Sequence, residues 1–158
     1  MTICRAESRH IPGMIALLRQ VGSIHAQGRP DLFRAGAQKY NEAELEVILA
    51  DENRPIFIAE AHGKVQGYCF CVMEEIRENA CVAGRRELYI DDLCVDEGCR
   101  GQQVGSALYA HVTEYARHRG CHYITLHVWG FNESAEAFYR KLGMKNRYIC
   151  MEMPLEEH

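Results

Sequence analysis

Two spacings of apolar residues alternate along the chain and predict its helices and strands. Apolar side chains recur at helical spacing over 11–21 and again over 45–49, which predicts two amphipathic helices. Over 56–73 the period falls to two, which predicts two strands joined by a tight turn at His62 and Gly63. The first half of the chain therefore combines helices with a hairpin.

The second half alternates strands and helices, with residues typical of helix ends between them. Asn132 is a favoured N-cap residue, and Gly120 and Gly143 are favoured helix stops. Together with a short opening strand, these signals predict strands over 2–6, 85–95, 121–129 and 144–153 and helices over 104–119 and 133–142. The chain has no repeat or linker, so we expect a single domain over residues 1–158.

Composition excludes several classes of function. Hydrophobic residues make up 47% of the 158 residues, which is enough for a packed core. The formal net charge of -4 gives no general electrostatic reason to bind nucleic acid or an anionic membrane. The opening residues lack an apolar signal core, and no apolar run is long enough to span a bilayer. We therefore expect a cytoplasmic protein.

Eight cysteines are many for a chain of this length. They form no Cys-x-x-Cys pair, and most lie inside apolar runs, where a free thiol behaves as a small hydrophobic group. A thiol-based metal or redox protein has the cysteine count in its favour and the cysteine spacing against it. We expect reduced thiols and no metal site.

The segment from Cys94 to Val112 indicates a binding site for an anion. A strand enters a glycine-containing turn and a helix follows, so unpaired backbone N–H groups and the positive end of the helix dipole point at the turn. Arg100 adds a cation, and Gly101 and Gly105 permit close backbone approach. The alternative is an ordinary strand-to-helix loop, because neither a P-loop nor a dinucleotide fingerprint is present.

A second motif follows the next predicted strand. Asn132 and Tyr139 are seven residues apart, which places both side chains on one side of a short helix. With Ala135 they match the pattern Asn-x-x-Ala-x-x-x-Tyr, and the preceding loop Arg-Gly-Gln-Gln-Val-Gly matches Arg/Gln-x-x-Gly-x-Gly/Ala except at Gln103. In these two motifs the chain resembles the Gcn5-related N-acetyltransferases (GNAT family) over its whole length. The resemblance implies an α+β fold with a mixed, mostly antiparallel sheet flanked by helices.

The resemblance also implies acetyl-CoA as the acetyl donor, without a metal. Tyr139 would protonate the departing CoA thiolate, since a phenol is protonated at neutral pH. Gln103 stands where the family has glycine, so affinity for the cofactor depends on where that side chain points. The residues implied to bind the cofactor are Leu93, Cys94, Val95, Arg100, Gly101, Gln102, Gln103, Val104, Gly105, Ser106 and Asn132.

A protonated amine must lose a proton before it attacks, so we expect a base at the site. Asp91 is the first candidate, because some relatives carry an acidic residue at the matching place; His127 is the second and Asp92 the third. Strand alternation predicts two opposite faces, with Tyr89, Asp91, Leu93 and Val95 on one and Ile90, Asp92 and Cys94 on the other.

The acceptor implied by the resemblance is a small cationic amine, or alternatively a peptide or protein α-amine. We expect its pocket to come from the turn-rich stretch 25–40, which lacks a clear period and is predicted to be a loop, together with the acidic residues of the strand. The candidate binding residues are His25, Asp31, Phe33 and Asp92, and Tyr40 is a further wall candidate. A non-catalytic acyl-CoA-binding module is a different reading. The family also suggests a homodimer, with no nucleic acid or membrane partner.

Overall fold

The structure, a computed structural model, describes residues 1–156, so the last two residues of the predicted domain lie outside it. Its strands are β1 (Thr2–Arg5), β2 (Ile56–Ala61), β3 (Lys64–Ile76), β4 (Arg85–Val95) and β5 (Tyr123–Leu126). Its helices are α1 (Ile11–Gly28), α2 (Glu42–Leu49), α3 (Val104–His118) and α4 (Glu133–Lys141). None of these helices is long and apolar enough to cross a membrane.

The five strands form one sheet in the order β1-β2-β3-β4-β5. Each neighbouring pair from β1 to β4 is antiparallel, whereas β4 and β5 run parallel because α3 returns the chain to the same end of the sheet. The hairpin turn lies where the sequence predicts it, with positive φ values at His62 (52°) and Gly63 (71°). The predicted mixed, mostly antiparallel α+β fold is confirmed.

Helices cover both faces of the sheet and divide the core in two. On one face, α1 and α2 bury Met14, Leu17 and Leu45 against β2 and β3. On the other, α3 buries Leu108 and Val112 against the opposite sides of the same strands. The sheet is thus apolar on both faces, so consecutive residues of β2 and β3 are buried and the predicted period of two holds only in part.

A β-bulge interrupts β4 at Asp91. Phe70 pairs with Asp92 and the next residue, Cys71, pairs with Ile90, so Asp91 has no partner on β3. Before the bulge, Ile90 packs on the α3 side; after it, Cys94 packs on the α1 side. The predicted strict alternation of faces is wrong, because the extra residue reverses the parity of the strand.

Strands β4 and β5 separate beside the bulge at Asp91. Their parallel pairing ends at Ile90 and Leu126, so the remaining part of β4, residues 91–95, has no partner on that side within residues 1–156. A cleft therefore opens between the two strands, with unpaired backbone groups of β4 along one wall.

Two sequence predictions outside the sheet centre are wrong. Helix α1 continues to Gly28, so His25 belongs to a helix rather than to the loop. The strand predicted over 144–153 does not form: residues 145–156 take part in no helix, strand or backbone hydrogen bond among the described residues. This C-terminal segment exposes large apolar side chains to between 67% and 92%, namely Tyr148, Ile149, Met151, Met153 and Leu155.

Candidate active site

The loop before α3 presents its backbone to solvent. Gly101 (φ 75°) and Gln103 (φ 66°) both adopt the left-handed conformation, and Gln103 is the N-cap of α3. No side chain caps this helix within the described chain, so the amides of its first turn remain available to a ligand. The Gln103 side chain is exposed. Positive φ gives the physical reason why a glycine suits this position in related loops.

Gly105, in the first turn of α3, allows three elements to meet. A Cβ atom placed there would lie 3.3 Å from the ring of Phe138 on α4 and 3.5 Å from the side chain of Val95 on β4. A larger residue would push these elements apart. The glycine therefore brings the anion-binding loop, the end of β4 and the helix that carries Tyr139 into contact.

Four other predicted cofactor residues lie at the end of β4 and at the start of α4. Leu93, Cys94 and Val95 form the end of β4 beyond its last contact with β5, and only Cys94 is buried. Asn132 caps α4: its Oδ1 atom accepts a hydrogen bond from the Ala135 amide at 3.2 Å. A ligand contact from Asn132 would therefore use the NH2 group, which is a donor.

Tyr139 points into an environment that keeps its phenol protonated. Its ring lies 5.1 Å from that of Phe138 and 6.4 Å from that of Tyr109. Burial, followed by the neighbouring Cys69 and Asp92, raises the pKa of Tyr139 well above its usual value. A half-buried neutral phenol is a hydrogen-bond donor and can supply a proton to a thiolate that forms beside it.

The bulge in β4 places both carboxylates on the α1 side of the sheet. Asp91 accepts hydrogen bonds from Lys39 Nζ and from the Tyr40 hydroxyl, each at 2.8 Å. Asp92 accepts one from the Tyr68 hydroxyl at 2.6 Å. Sequence reasoning put these acids on opposite faces, and the structure corrects this.

The two acids differ in their surroundings. Asp91 is paired with a cation, whereas Asp92 lies deeper and its nearest partner is a neutral phenol. Burial raises the pKa of Asp92 to about 6; Tyr68 and Lys39 oppose this rise and Asp91 adds to it. A carboxyl group with such a pKa changes its protonation state close to neutral pH, where an ordinary aspartate is already fully ionised.

His127 lies just beyond β5 and is exposed. Its Nδ1 atom is 3.3 Å from the Tyr89 hydroxyl and its Nε2 atom is 3.1 Å from the Tyr148 hydroxyl. Both ring nitrogens therefore have phenolic partners. Tyr148 belongs to the C-terminal segment, so that segment contributes to the surroundings of the second candidate base.

An aromatic cluster borders the acceptor side and was only partly foreseen. The ring of Phe33 lies 4.9 Å from His25 and 5.2 Å from Trp129. Burial, and after it the nearby Lys39, lower the pKa of His25, so this imidazole is neutral at neutral pH. The carboxylate of Asp31 forms an ion pair with Arg29. Sequence reasoning missed Trp129 and Lys39, because neither belongs to a motif.

One cluster outside the cleft has donor atoms of the kind that metals prefer. Ligand atoms of Cys4, His10 and Glu60 lie within 4.8 Å of one another. However, the Glu7 amide donates to His10 Nδ1, which assigns the proton of the neutral ring to Nε2, the atom that faces Glu60. Arg9 also holds both oxygens of Glu60. We interpret these contacts, a hydrogen bond from Glu7 to His10 and an ion pair between Arg9 and Glu60, as securing the start of α1.

Comparison with known proteins decides the family. The family model of the acetyltransferase (GNAT) family matches residues 22–144, which is well over half of the chain. The chain belongs to the GNAT family of acetyltransferases. An uncharacterised N-acetyltransferase of Methanocaldococcus jannaschii is 31% identical over 93 residues, which cover 59% of this chain and 40% of that relative. The match thus spans less than half of the relative's length.

Solved structures share the fold over nearly the whole chain. A crystal structure of a mutant of the BH1408 protein from Bacillus halodurans is 28% identical, covers 99% of this chain and 100% of its own, and superposes with a TM-score of 0.95. An aminoglycoside N-acetyltransferase in complex with CoA is 17% identical, covers 98% and 99% of the two chains, and gives a TM-score of 0.73. The second likeness concerns the fold alone.

The left-handed conformation of Gln103 leads to a testable prediction for this GNAT loop. We expect Gln103→Gly to stabilise the protein by up to about 1 kcal/mol. Glycine removes the strain of a side chain at positive φ, which costs about 1–2 kcal/mol. Glycine also loses more backbone entropy on folding, and this loss offsets part of the gain. Urea unfolding of the two proteins measures the difference. Affinity for CoA, measured by calorimetry, should not fall.

The matched control is Gln103→Val, since a β-branched residue is a poor occupant of this conformation. We expect this variant to be less stable than the wild type. A wild-type protein more stable than Gln103→Gly would contradict the strain argument.

Proposed function

We propose that this protein is an acetyl-CoA-dependent N-acetyltransferase that acetylates a small cationic amine. The observation that carries the proposal is the combination of three groups around one cleft: the uncapped amides at the start of α3, the half-buried phenol of Tyr139 and the adjacent acids Asp91 and Asp92. These groups supply an anion site, a proton donor and a base, which are the components that acetyl transfer from a thioester to an amine requires.

The loop and β4 would hold the donor. Amides at the start of α3, with Arg100 beside them, suit the pyrophosphate of acetyl-CoA. The unpaired backbone of β4 beyond Ile90 suits the amide groups of the pantetheine arm, which can hydrogen-bond to a strand edge as a further strand would. Tyr139 then donates its proton to the sulfur when the C–S bond breaks.

Asp92 replaces Asp91 as our preferred base. An effective base has a pKa near the working pH, and Asp92 meets this condition better than an acid that already holds a lysine. Asp91 is better suited to bind the ammonium group of the acceptor, because it holds an ammonium group in this structure. His127 remains an alternative base at the far side of the cleft.

The acceptor preference follows from charge and shape. The two carboxylates attract a cation, and the rings of Phe33 and Trp129 provide apolar and π surfaces for the carbon skeleton beside it. The aminoglycoside acetyltransferase with the same fold acts on an amine, as its name states. Together these observations favour a small cationic amine over a peptide α-amine.

Removal of the phenol tests the proton-donor role. We expect Tyr139→Phe to lower kcat by about 10²-fold, the usual contribution of a general acid, while affinity for acetyl-CoA stays within about twofold. Calorimetric titration with acetyl-CoA gives the affinity, and amine-dependent release of CoA thiol gives the turnover. Equal losses in both would contradict the role of Tyr139. Acetyl-CoA binding without turnover of any amine would indicate a non-catalytic binding module instead.

The pH profile tests the base. In the wild type, kcat/KM should rise with pH through about 6, because Asp92 accepts a proton only in its ionised form. Asp92→Asn should remove this rise between about pH 5 and about pH 7 and lower the rate by about 10²-fold. The matched variant Asp91→Asn should keep the rise and shift it to lower pH, since Asp91 raises the pKa of Asp92. An unchanged profile in Asp92→Asn would favour His127.

The C-terminal segment supports a homodimer as part of the same proposal. Residues 145–156 expose five large apolar side chains, and β5 offers a free sheet edge within the described chain. A second copy could cover both. We expect light scattering to give the mass of a dimer, and the double change Ile149→Asp and Met151→Asp to give a monomer. Val47→Asp, at another exposed apolar position on α2, should leave the mass unchanged. A monomeric wild type would contradict the dimer.

A further inference from the structure

The acceptor side of the cleft already contains an amine that belongs to the chain itself. Lys39 Nζ lies 2.8 Å from Asp91 Oδ1, in the position that we assign to the ammonium group of the acceptor. The lysine comes from the segment between α1 and α2, 52 residues away in sequence. The contact is therefore made by the fold and is not a product of local chain geometry.

Neighbouring contacts hold this lysine at the site. Tyr40, the next residue, donates to the other oxygen of Asp91 and stacks on Phe70 at 5.6 Å between ring centroids. Gln38, the preceding residue, donates to the Tyr40 carbonyl and accepts from Arg19 on α1. The backbone on both sides of Lys39 is thus fixed, and the side chain is aimed at the carboxylate.

The lysine is nevertheless accessible. Its side chain is 47% exposed, compared with 17% for Asp91. An ion pair that is exposed on one side contributes only about 0–1 kcal/mol, so the ammonium group can leave the carboxylate at little cost. A reagent bound in the cleft could therefore reach Nζ without unfolding of the segment.

Lys39 is also electrostatically connected to the groups proposed to perform the chemistry. Its charge lowers the pKa of Asp92, and Asp92 in turn raises the pKa of Tyr139. The charge of the Lys39 ammonium group thus influences Asp92, and the charge of Asp92 influences Tyr139. This relation agrees with the hydrogen-bond geometry of the two carboxylates.

From this arrangement we propose that Lys39 Nζ is a built-in acceptor, which the protein acetylates on itself with acetyl-CoA. The inference rests on the proposed function, since it uses the same donor. Nζ first gives one proton along its hydrogen bond to Asp91, its direct partner in the structure, and Asp91 passes that proton to water. The neutral nitrogen then forms a bond to the acetyl carbon. As the C–S bond breaks, the nitrogen gives a second proton to water by the same route. Tyr139 protonates the thiolate and regains its proton from water. The products are an amide on Lys39, CoA and one released proton.

Acetylation would change the acceptor site. The amide has no charge, so it cannot pair with Asp91 as the ammonium group does. The carboxylate would then be open to a free amine. Self-acetylation at Lys39 would therefore prepare the site for external acceptors, and a wild-type protein that has first been incubated with acetyl-CoA should have a lower KM for such amines.

The small number of lysines allows acetylation to be measured separately at each one. The chain has four, and Lys64, Lys141 and Lys145 are exposed surface residues. The purified full chain is incubated with isotopically labelled acetyl-CoA and no added amine, and peptide mapping by mass spectrometry follows the label at each lysine. A parallel sample receives a series of free amines, and release of CoA thiol is recorded.

We expect Lys39 to gain label at least about tenfold faster than the other three lysines, because a positioned amine has a high effective molarity. The rate per molecule should not depend on protein concentration. Lys39→Arg should remove most of the incorporated label, whereas the matched Lys64→Arg should change neither labelling at 39 nor turnover of free amines. Tyr139→Phe should slow labelling at 39 and leave the slow background at the other lysines unchanged.

The parallel assay separates the two proposals. If free amines are acetylated and Lys39 gains label no faster than the other lysines, the self-acetylation is overturned and the proposed function stands. If neither a free amine nor Lys39 is acetylated, both are overturned. Labelling at Lys39 that rises with protein concentration would mean transfer between molecules, which also overturns the proposal.

Discussion

The bulge at Asp91 is the constraint on which the rest of the site depends. One extra residue in β4 lets Leu88 and Ile90 face α3 while Asp92 and Cys94 face α1. Without it, one of the two acids would have to enter the apolar core under α3, where an unpaired charge is costly. At the same level β5 departs from β4, so the bulge also marks the point where the cleft opens. A local irregularity thus sets both the direction of the acids and the place of the donor site.

The site then distributes charge unevenly between two adjacent residues. Asp91 lies nearer to solvent and holds Lys39, so its negative charge is compensated. Asp92 lies deeper, beside Tyr68, and burial makes its ionised form less favourable. Identical side chains therefore differ in chemistry because their depths and partners differ. The same burial keeps Tyr139 neutral, so a proton acceptor and a proton donor coexist within one cleft.

The loop before α3 has a different role, which is to let backbone amides approach a ligand closely. Its left-handed residues aim successive amides outward, and the absence of Cβ at Gly105 lets α4 pack directly on the loop. Gln103 accepts the unfavourable conformation at some cost in stability. This strain is confined to Gln103. The contact of Gly105 with Val95 and Phe138, in contrast, connects the loop to the helix that carries Tyr139.

The sequence by itself determined the order of the elements as far as α4, the hairpin turn, the cap of α4 and the family, because these depend on periods, turn residues and short motifs that are local in the chain. It also indicated the loop, Tyr139 and Asp91. Tertiary structure alone decided that Asp91 and Asp92 share a side, since a bulge depends on the register of two strands. It likewise decided that Lys39 meets Asp91 and that 144–153 stays unpaired. Contacts between distant segments, burial and the pKa values that burial produces depend on the packed structure, and no local pattern encodes them.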